Sequence, residues 1–156
     1  DYVFVHEFGH SFAGLGDEYY TSDVAYIDFY PKGVEPWEPN LTRLLDKKNL
    51  KWSTLADKKL GVPTEWNKAK FDSLTSAKYK TTKSDKEKKK EISNQLEAVL
   101  ANPELINKVG YFEGGGYAFE GIYRPSLDCI MFSKSLVGYC PVCKDAVQKM
   151  IDFHTK

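Results

Sequence analysis

The sequence has little arginine and no net charge. Of its 22 basic residues only Arg43 and Arg124 are arginines, and 22 acidic residues balance the total. Nucleic acids are usually bound by clustered positive charge, so this composition argues against a nucleic-acid partner. No run of about 18 apolar residues exists, and we therefore expect no transmembrane segment in this portion. A charged-then-apolar leader is also missing, and we expect any export signal to lie upstream.

Lysines are concentrated in residues 67–91, but neither arginines nor a stacking platform accompanies them. Ser84 to Glu87 has the pattern of a capping box, which predicts that a helix begins there. Four apolar residues then share one helical face, so the lysines fall on the solvated side. These four residues are Ile92, Leu96, Val99 and Leu100. Asn102-Pro103 should end the helix, because proline disfavours helical backbone in the residue before it.

Histidine is scarce too, yet two of the three histidines are four residues apart. On a helix His6 and His10 share a face, about 5 to 6 Å apart at Cβ, and can direct ring nitrogens at one ion. Glu7, directly after the first histidine, can act as general base toward a zinc-activated water. The spacing therefore predicts a zinc hydrolase with Glu7 as a catalytic residue rather than a ligand.

A catalytic zinc ion usually has three protein ligands, so a third donor is needed. Gly14 and Gly16 allow the chain to turn sharply after the helix and return toward the ion. Asp17 is the first carboxylate after this break and is our predicted third ligand. Glu18 is the competing residue. In related zinc sites a glycine and the third ligand follow the second histidine by three and six residues, whereas Gly14 and Asp17 each come one residue later here.

Three consecutive glycines at 114–116 form the second informative stretch. Glycine is unfavourable inside helices and strands, so we expect no ordinary helix or strand interior there. A flexible turn and an anchored loop are both open from composition, and the aromatic flanks favour the anchored loop. The flanking aromatic residues are Tyr111, Phe112, Tyr117 and Phe119.

These two stretches together resemble the M64 peptidases, the IgA-peptidase-like zinc metallopeptidases of bacteria. The first matching segment spans residues 6–19, from the paired histidines through Asp17 to Tyr19. The second spans residues 110–131 and includes Gly121-Ile122-Tyr123-Arg124-Pro125 and Cys129-Ile130-Met131. Residues 67–105 look like a lysine-rich helical insertion beside this pattern.

The resemblance implies an α+β fold, predominantly helical in this portion, from the carboxyl-terminal part of a metzincin-like catalytic domain. Its parts would be an active-site helix, long loops, a methionine turn at Met131 and a C-terminal helix beginning at Pro141. Ser133 stands where some metzincins have a tyrosine ligand, so we predict none from that turn. Tyr123 and Tyr139 remain candidates to enter the pocket.

Residues 1–156 would form one domain, which we expect to be partial because the chain begins within its active-site helix. Val3, Phe4, Val5 and Phe8 make that helix apolar on nearly every side, which is typical of a helix buried between layers. We expect the missing upstream layer to leave an apolar patch exposed.

Cys129, Cys140 and Cys143 allow two interpretations. Together with His154 they could hold a structural zinc ion, although the usual paired spacing is absent. The favoured alternative is a Cys129–Cys143 disulfide that pins the methionine turn to the last helix and leaves Cys140 free.

The leading functional hypothesis is a secreted or cell-surface zinc endopeptidase, in which Glu7 activates the water that attacks a peptide carbonyl. The family name suggests immunoglobulin or glycoprotein substrates. Two alternatives are a catalytically weak glycoprotein-binding module on a peptidase scaffold and a zinc amidase. The presence of Glu7 favours an enzyme, because a purely structural metal site needs no general base.

Overall fold

The computed structural model describes residues 2–21, 29–134 and 137–156. Within these ranges the elements in chain order are four helices and one hairpin. They are α1 (Tyr2–Ala13), α2 (Lys68–Lys80), α3 (Lys86–Leu100), β1 (Phe112–Gly115), β2 (Ala118–Arg124) and α4 (Pro141–Thr155). The expected α+β fold, mainly helical, is confirmed for this part of the chain. Its assignment to the metzincin architecture stays a prediction.

Helix α1 packs against α4 and buries only one of its faces. His6, Gly9 and Ala13 are buried, whereas Val3 and Phe4 are 59% and 70% exposed. The apolar residues on the outer face stack along the helix, with Phe8 and Phe12 ring centroids 4.8 Å apart. The helix therefore presents its histidines inward and an apolar stripe outward.

Helices α2 and α3 pack on each other in the lysine-rich region. The apolar face predicted for α3 is present, since Ile92, Val99 and Leu100 are buried. The predicted cap is wrong by one residue: the Asp85 side chain, rather than Ser84, accepts the Lys88 N–H at 3.1 Å. A carboxylate at this position satisfies one of the free N–H groups of the first turn.

The β1–β2 hairpin is antiparallel and irregular. Phe112 pairs with Arg124, and the register shifts between Glu113 and Gly115. Gly114 and Gly115 belong to β1, where this register shift departs from the ordinary strand interior that we did not expect for the glycine run. The irregular register explains this: Gly114 has φ +100°, and a Cβ there would lie 2.3 Å from the Tyr20 ring. The glycines serve close packing, as an anchored loop requires.

The core between these elements is largely aromatic and sulfur-containing. Met131, Cys129 and Cys143 are fully buried in it, and the Trp52 ring stacks on Tyr111 at 5.3 Å. Helix α4 starts at Pro141 as predicted. Its buried residues are Val142, Cys143 and Ala146, and Ile151 is exposed. Among the described residues, no helix has the length and apolar character needed to cross a membrane.

Candidate metal centre

Helix α1 brings the two histidines of the sequence pattern together. The Nε2 atoms of His6 and His10 lie 3.1 Å apart, and the rings meet edge to face. The other ring nitrogens face backbone carbonyls: Nδ1 of His6 lies 3.0 Å from Ile130 O, and Nδ1 of His10 lies 2.6 Å from Leu15 O. Both Nε2 atoms are thus directed to one point from fixed rings.

The chain leaves α1 through a turn at Gly14, which has φ +61°. The Gly14 N–H donates to His10 O at 3.1 Å, and the Leu15 N–H donates to Gly9 O at 3.2 Å. A left-handed residue at a helix end is favourable for glycine and unfavourable for residues with a Cβ. This turn places Leu15 O beside Nδ1 of His10 and directs the following residues back toward the histidines.

The loop after the turn carries Asp17 to the two rings. Asp17 Oδ1 lies 3.0 Å from His6 Nε2 and 3.2 Å from His10 Nε2. The second carboxylate oxygen accepts a hydrogen bond from the Tyr117 hydroxyl, which also contacts the Tyr19 hydroxyl at 3.1 Å. The Gly116 and Tyr117 N–H groups donate to Asp17 O and Tyr19 O, so the hairpin anchors this loop.

The convergence of these three atoms has a specific electrostatic meaning. Because each Nδ1 faces a carbonyl acceptor, each neutral ring carries its proton on Nδ1 and has a lone pair on Nε2. Two lone pairs and a carboxylate oxygen then face one another within 3.2 Å. Such an arrangement is stabilised by a cation between them, either a metal ion or a proton.

The pKa values of the three side chains reflect the same contacts. Hydrogen bonding to Asp17 raises the pKa of His6 and of His10, against the opposing effect of burial. Burial works against ionisation of Asp17, but hydrogen bonds from His10, His6 and Tyr117 outweigh it and hold its pKa well below the ordinary value. The cluster therefore favours an ionised carboxylate beside positive charge.

The spacing of these donors fits a tetrahedral zinc ion. Nitrogen and oxygen ligands at about 2.0 to 2.2 Å from zinc are separated by about 3.3 to 3.5 Å. The observed donor separations of 3.0 to 3.2 Å come within a few tenths of an ångström of that edge. The residues thus fit the metal that the sequence pattern predicts.

Glu7 lies on the solvent side of the cluster. It is exposed and, with His6, Tyr2 and Tyr19, lines an open cavity of about 510 Å³. Of the two histidines, only His6 is among the residues that line this cavity. The side chain of His10 is 29% exposed, which leaves room for a substrate or water at the cluster.

Met131 lies under the histidine-bearing helix and is fully buried. Phe132 and Ser133 N–H groups donate to Cys129 O, so Met131 sits in a tight turn. Gly9 permits the close approach, since a Cβ there would lie 3.1 Å from the methionine sulfur and 2.8 Å from the Tyr139 hydroxyl. Met131 therefore packs close to Gly9 of α1, and its role as an apolar floor of a metal site stays a prediction.

Glu18, the competing third ligand, points away from the histidines. Its carboxylate is fully buried, and Oε1 accepts from Asn40 Nδ2 at 2.9 Å and from the Cys143 thiol at 3.3 Å. Burial raises its pKa well above the ordinary value. The geometry thus separates the two neighbouring carboxylates, with Asp17 at the histidines and Glu18 at the cysteines.

The expected disulfide is absent. Sγ of Cys129 and Sγ of Cys143 lie 3.8 Å apart, whereas a disulfide needs about 2.05 Å, and all three cysteines are free. His154 is not with the cysteines either. It is exposed near the end of α4, beside Phe12 and Phe153.

Two residues that support the cluster were not identified from the sequence. Tyr117 was considered only as a flank of the glycines, while Tyr123 and Tyr139 were the expected pocket residues. Asn40 is fully buried and pairs with Gly16 through both backbone groups, donating to its carbonyl at 2.9 Å and accepting its N–H at 2.8 Å. No local pattern in the sequence identifies either residue as a support of the cluster.

His6, His10 and Asp17 thus form a group of side chains that could hold a metal ion. The chain matches the model of the IgA Peptidase M64 family over residues 1–151 and belongs to that family. The resemblance proposed from the two sequence segments is therefore confirmed. This is a family of metallopeptidases, so the coarse class of the chain is a peptidase, a hydrolase. No curated protein gives a significant match to the chain.

Proposed function

We propose that the protein is a zinc-dependent endopeptidase in which His6, His10 and Asp17 hold the ion and Glu7 is the general base. The observation that carries this proposal is the convergence of two histidine lone pairs and a carboxylate oxygen within 3.2 Å. Three such donors with one open side are typical of catalytic rather than structural zinc sites. Bound zinc would supply Lewis-acid activation of a water molecule and of the substrate carbonyl.

The residues of the chain have distinct roles in this proposal. The Glu7 carboxylate would accept a proton from the attacking water and deliver it to the nitrogen of the leaving amine. The Ile130 and Leu15 carbonyls hold the histidine protons on Nδ1, and so keep Nε2 free for the metal. The Tyr117 hydroxyl holds Asp17 in the orientation that directs Oδ1 at the rings.

Peptide or protein substrates, including immunoglobulins or glycoproteins, fit the proposal, as does a secreted or cell-surface location. The open cavity beside Glu7 and His6 favours a polymer over a fully enclosed small ligand. We further propose the metzincin arrangement, supported by Met131 beneath α1. A zinc amidase uses the same ligands, and a weak binding module would not need Glu7 at the cavity.

The Glu7→Gln variant tests the proposed function. The amide cannot accept a proton, so we expect kcat on a peptide substrate to fall about 100- to 10,000-fold while zinc content is unchanged. Glu97→Gln is the matched control, because Glu97 is exposed on α3. Metal content by mass spectrometry and cleavage of a peptide library are the measurements.

Turnover of peptides by Glu7→Gln at the parent rate would contradict the role of Glu7. A parent protein that cleaves simple amides and leaves the peptide library intact would favour the amidase. A parent that binds zinc and glycoproteins but cleaves neither class would favour the binding module.

A further inference from the structure

We refer to His6, His10 and Asp17 as the histidine cluster. A second group of potential ligands lies in the core and includes Glu18, which follows Asp17 in the chain. Cys129, Cys140, Cys143 and Glu18 each offer one ligand atom, and these atoms all lie within 4.8 Å of one another. All four residues are buried, and the three thiols are free. We refer to these residues as the cysteine cluster.

Two separations within the cysteine cluster come close to those of a tetrahedral metal site. Two sulfurs bound to zinc at about 2.3 Å lie about 3.8 Å apart, and a sulfur and an oxygen ligand lie about 3.5 Å apart. Sγ of Cys129 and Sγ of Cys143 are 3.8 Å apart, and Sγ of Cys143 is 3.3 Å from Glu18 Oε1. The same sulfur distance is far too long for a disulfide.

The cluster also contains a buried polar atom without a partner. Glu18 is fully buried, and its Oε2 has no hydrogen-bond partner among the described residues. An unsatisfied buried acceptor is unfavourable, and more so if it is charged. A cation at the cluster would stabilise this carboxylate.

Burial raises the pKa of Cys129 and of Cys143, whereas two features favour a thiolate at Cys140. Cys140 precedes the first turn of α4, where the helix dipole stabilises negative charge. Hydrogen bonds from the Cys129 and Cys143 thiols and from the Cys143 N–H lower the pKa of Cys140. The Cys140 N–H in turn donates to Cys129 Sγ at 3.4 Å.

A buried positive charge accompanies the cluster. Arg124 is fully buried, and its guanidinium lowers the pKa of Glu18, although burial of that carboxyl has the larger, opposite effect. Arg124 is itself held by Gly114 O at 2.8 Å and by the Phe132 ring at 3.9 Å. A zinc ion with three thiolates and a carboxylate has a net negative charge, which this guanidinium would partly offset.

We propose that Cys129, Cys140, Cys143 and Glu18 bind a structural zinc ion, separate from the proposed catalytic ion. All four positions of this site would be filled by protein, as in closed structural sites. The ion would join three segments: the loop that carries Asp17, the turn that carries Met131, and the start of α4. The structural site is therefore independent of whether the histidine cluster catalyses peptide hydrolysis.

Metal content of the full chain, purified under reducing conditions, tests the proposal. We expect about two zinc ions per chain, with about one remaining in the His6→Ala/His10→Ala variant. An organomercurial that titrates thiolates should release the remaining ion. Cys140→Ser should instead lose the mercurial-releasable ion and retain the other.

Cobalt substitution of the unmutated chain avoids the risk that a cysteine variant fails to fold. Cobalt bound to thiolates gives strong charge-transfer absorption, which should persist in the His6→Ala/His10→Ala variant and disappear in Glu18→Ala/Cys140→Ser. X-ray absorption of the zinc form of the histidine variant should show mainly sulfur neighbours. A chain that binds no thiolate-ligated metal under these conditions, or that contains a Cys129–Cys143 disulfide, would overturn the proposal.

Failure of this site and failure of the proposed function are distinguishable. Loss of thiolate-bound metal with intact Glu7-dependent cleavage would overturn only the structural site. Thiolate-bound metal in a chain without hydrolytic activity would support the structural site and contradict the peptidase mechanism.

Discussion

The histidine cluster and the cysteine cluster are joined by one peptide bond, yet they differ in chemistry and access. Within the histidine cluster, His6 lines an open cavity, and the His10 side chain is 29% exposed. The cysteine cluster is buried and includes a carboxylate with 0% exposure. The sequence Asp17-Glu18 therefore sends adjacent acidic side chains in opposite directions, one to an open donor set and one to a closed donor set. An open set of ligands is typical of catalytic metal sites, and a closed set is typical of structural metal sites.

The largest expected effect comes from replacing each of these two carboxylates separately by alanine. Asp17→Ala should weaken metal binding at the histidine cluster by more than about 100-fold, beyond the range typical of outer-shell partners. Glu18→Ala should leave the affinity of the histidine cluster less affected and should reduce thiolate-bound metal. Competition with a fluorescent zinc chelator measures both constants.

The two variants serve as controls for each other, since each removes one buried or half-buried carboxylate from the same loop. Circular dichroism should show that both are folded before affinities are compared. If Glu18→Ala empties the histidine cluster and Asp17→Ala does not, the division between the clusters is wrong.

Asn40 connects the two clusters and gives the next effect. Its amide pairs with both backbone groups of Gly16 and donates to Glu18 Oε1. Asn40→Ala leaves these buried groups unpaired, and we expect the free energy of unfolding to fall by about 2 to 3 kcal/mol. Urea denaturation measures the change.

Asn94→Ala is the control, because Asn94 is exposed on α3 and should change the stability by less than about 0.5 kcal/mol. Equal stability of Asn40→Ala and the parent would show that the loop does not depend on this amide.

The sequence predicted the histidine cluster better than the cysteine cluster, for a physical reason. The spacing of His6 and His10 is local, and helical geometry alone places their rings together. The cysteine cluster joins residue 18 to residues 129–143. A contact between residues so far apart in the chain leaves no periodic pattern in the local sequence. The three cysteines were recognised as a possible zinc site with His154, but Glu18 as their neighbour was not.

The same distinction explains the fold predictions. The apolar period of α3 and Pro141 at the start of α4 are local signals, and the structure has both helices. The sequence predicted a close approach at the glycine run but not its partner, because the Tyr20 ring, which a Cβ on Gly114 would strike, is distant in the chain. Tertiary contacts of this kind override local preference.

Tyr117 offers a sharper test of how the histidine cluster is held. Its hydroxyl donates to Asp17, on the side opposite the oxygen that faces the rings. Outer-shell partners of metal ligands commonly contribute about 10- to 100-fold to affinity or activity. We expect Tyr117→Phe to lower zinc affinity at the histidine cluster by about 10-fold, without loss of thiolate-bound metal.

Tyr111→Phe is the matched control, because the Tyr111 hydroxyl donates to Lys51 O at 2.9 Å, away from both clusters. It should lose about 1 kcal/mol of stability and no metal affinity. A Tyr117→Phe protein with parent zinc affinity would exclude a positioning role for this hydroxyl.

The smallest expected effect concerns the floor beneath the histidines. A methyl group at Gly9 would lie 2.8 Å from the Tyr139 hydroxyl, 3.1 Å from Met131 Sδ and 3.1 Å from Leu15 Cδ1. Overpacking of this kind costs about 1 to 3 kcal/mol, and the better helix propensity of alanine returns up to about 1 kcal/mol. We therefore expect Gly9→Ala to lower the free energy of unfolding by about 1 kcal/mol, measured by urea denaturation. Gly138→Ala is the control, since a Cβ there would meet no atom within 4 Å.

Because Leu15 O holds the His10 ring, Gly9→Ala should also lower zinc affinity at the histidine cluster, whereas thiolate-bound metal should remain. A Gly9→Ala protein that keeps parent stability and loses neither metal would show that Met131 and Tyr139 do not constrain the histidine-bearing helix.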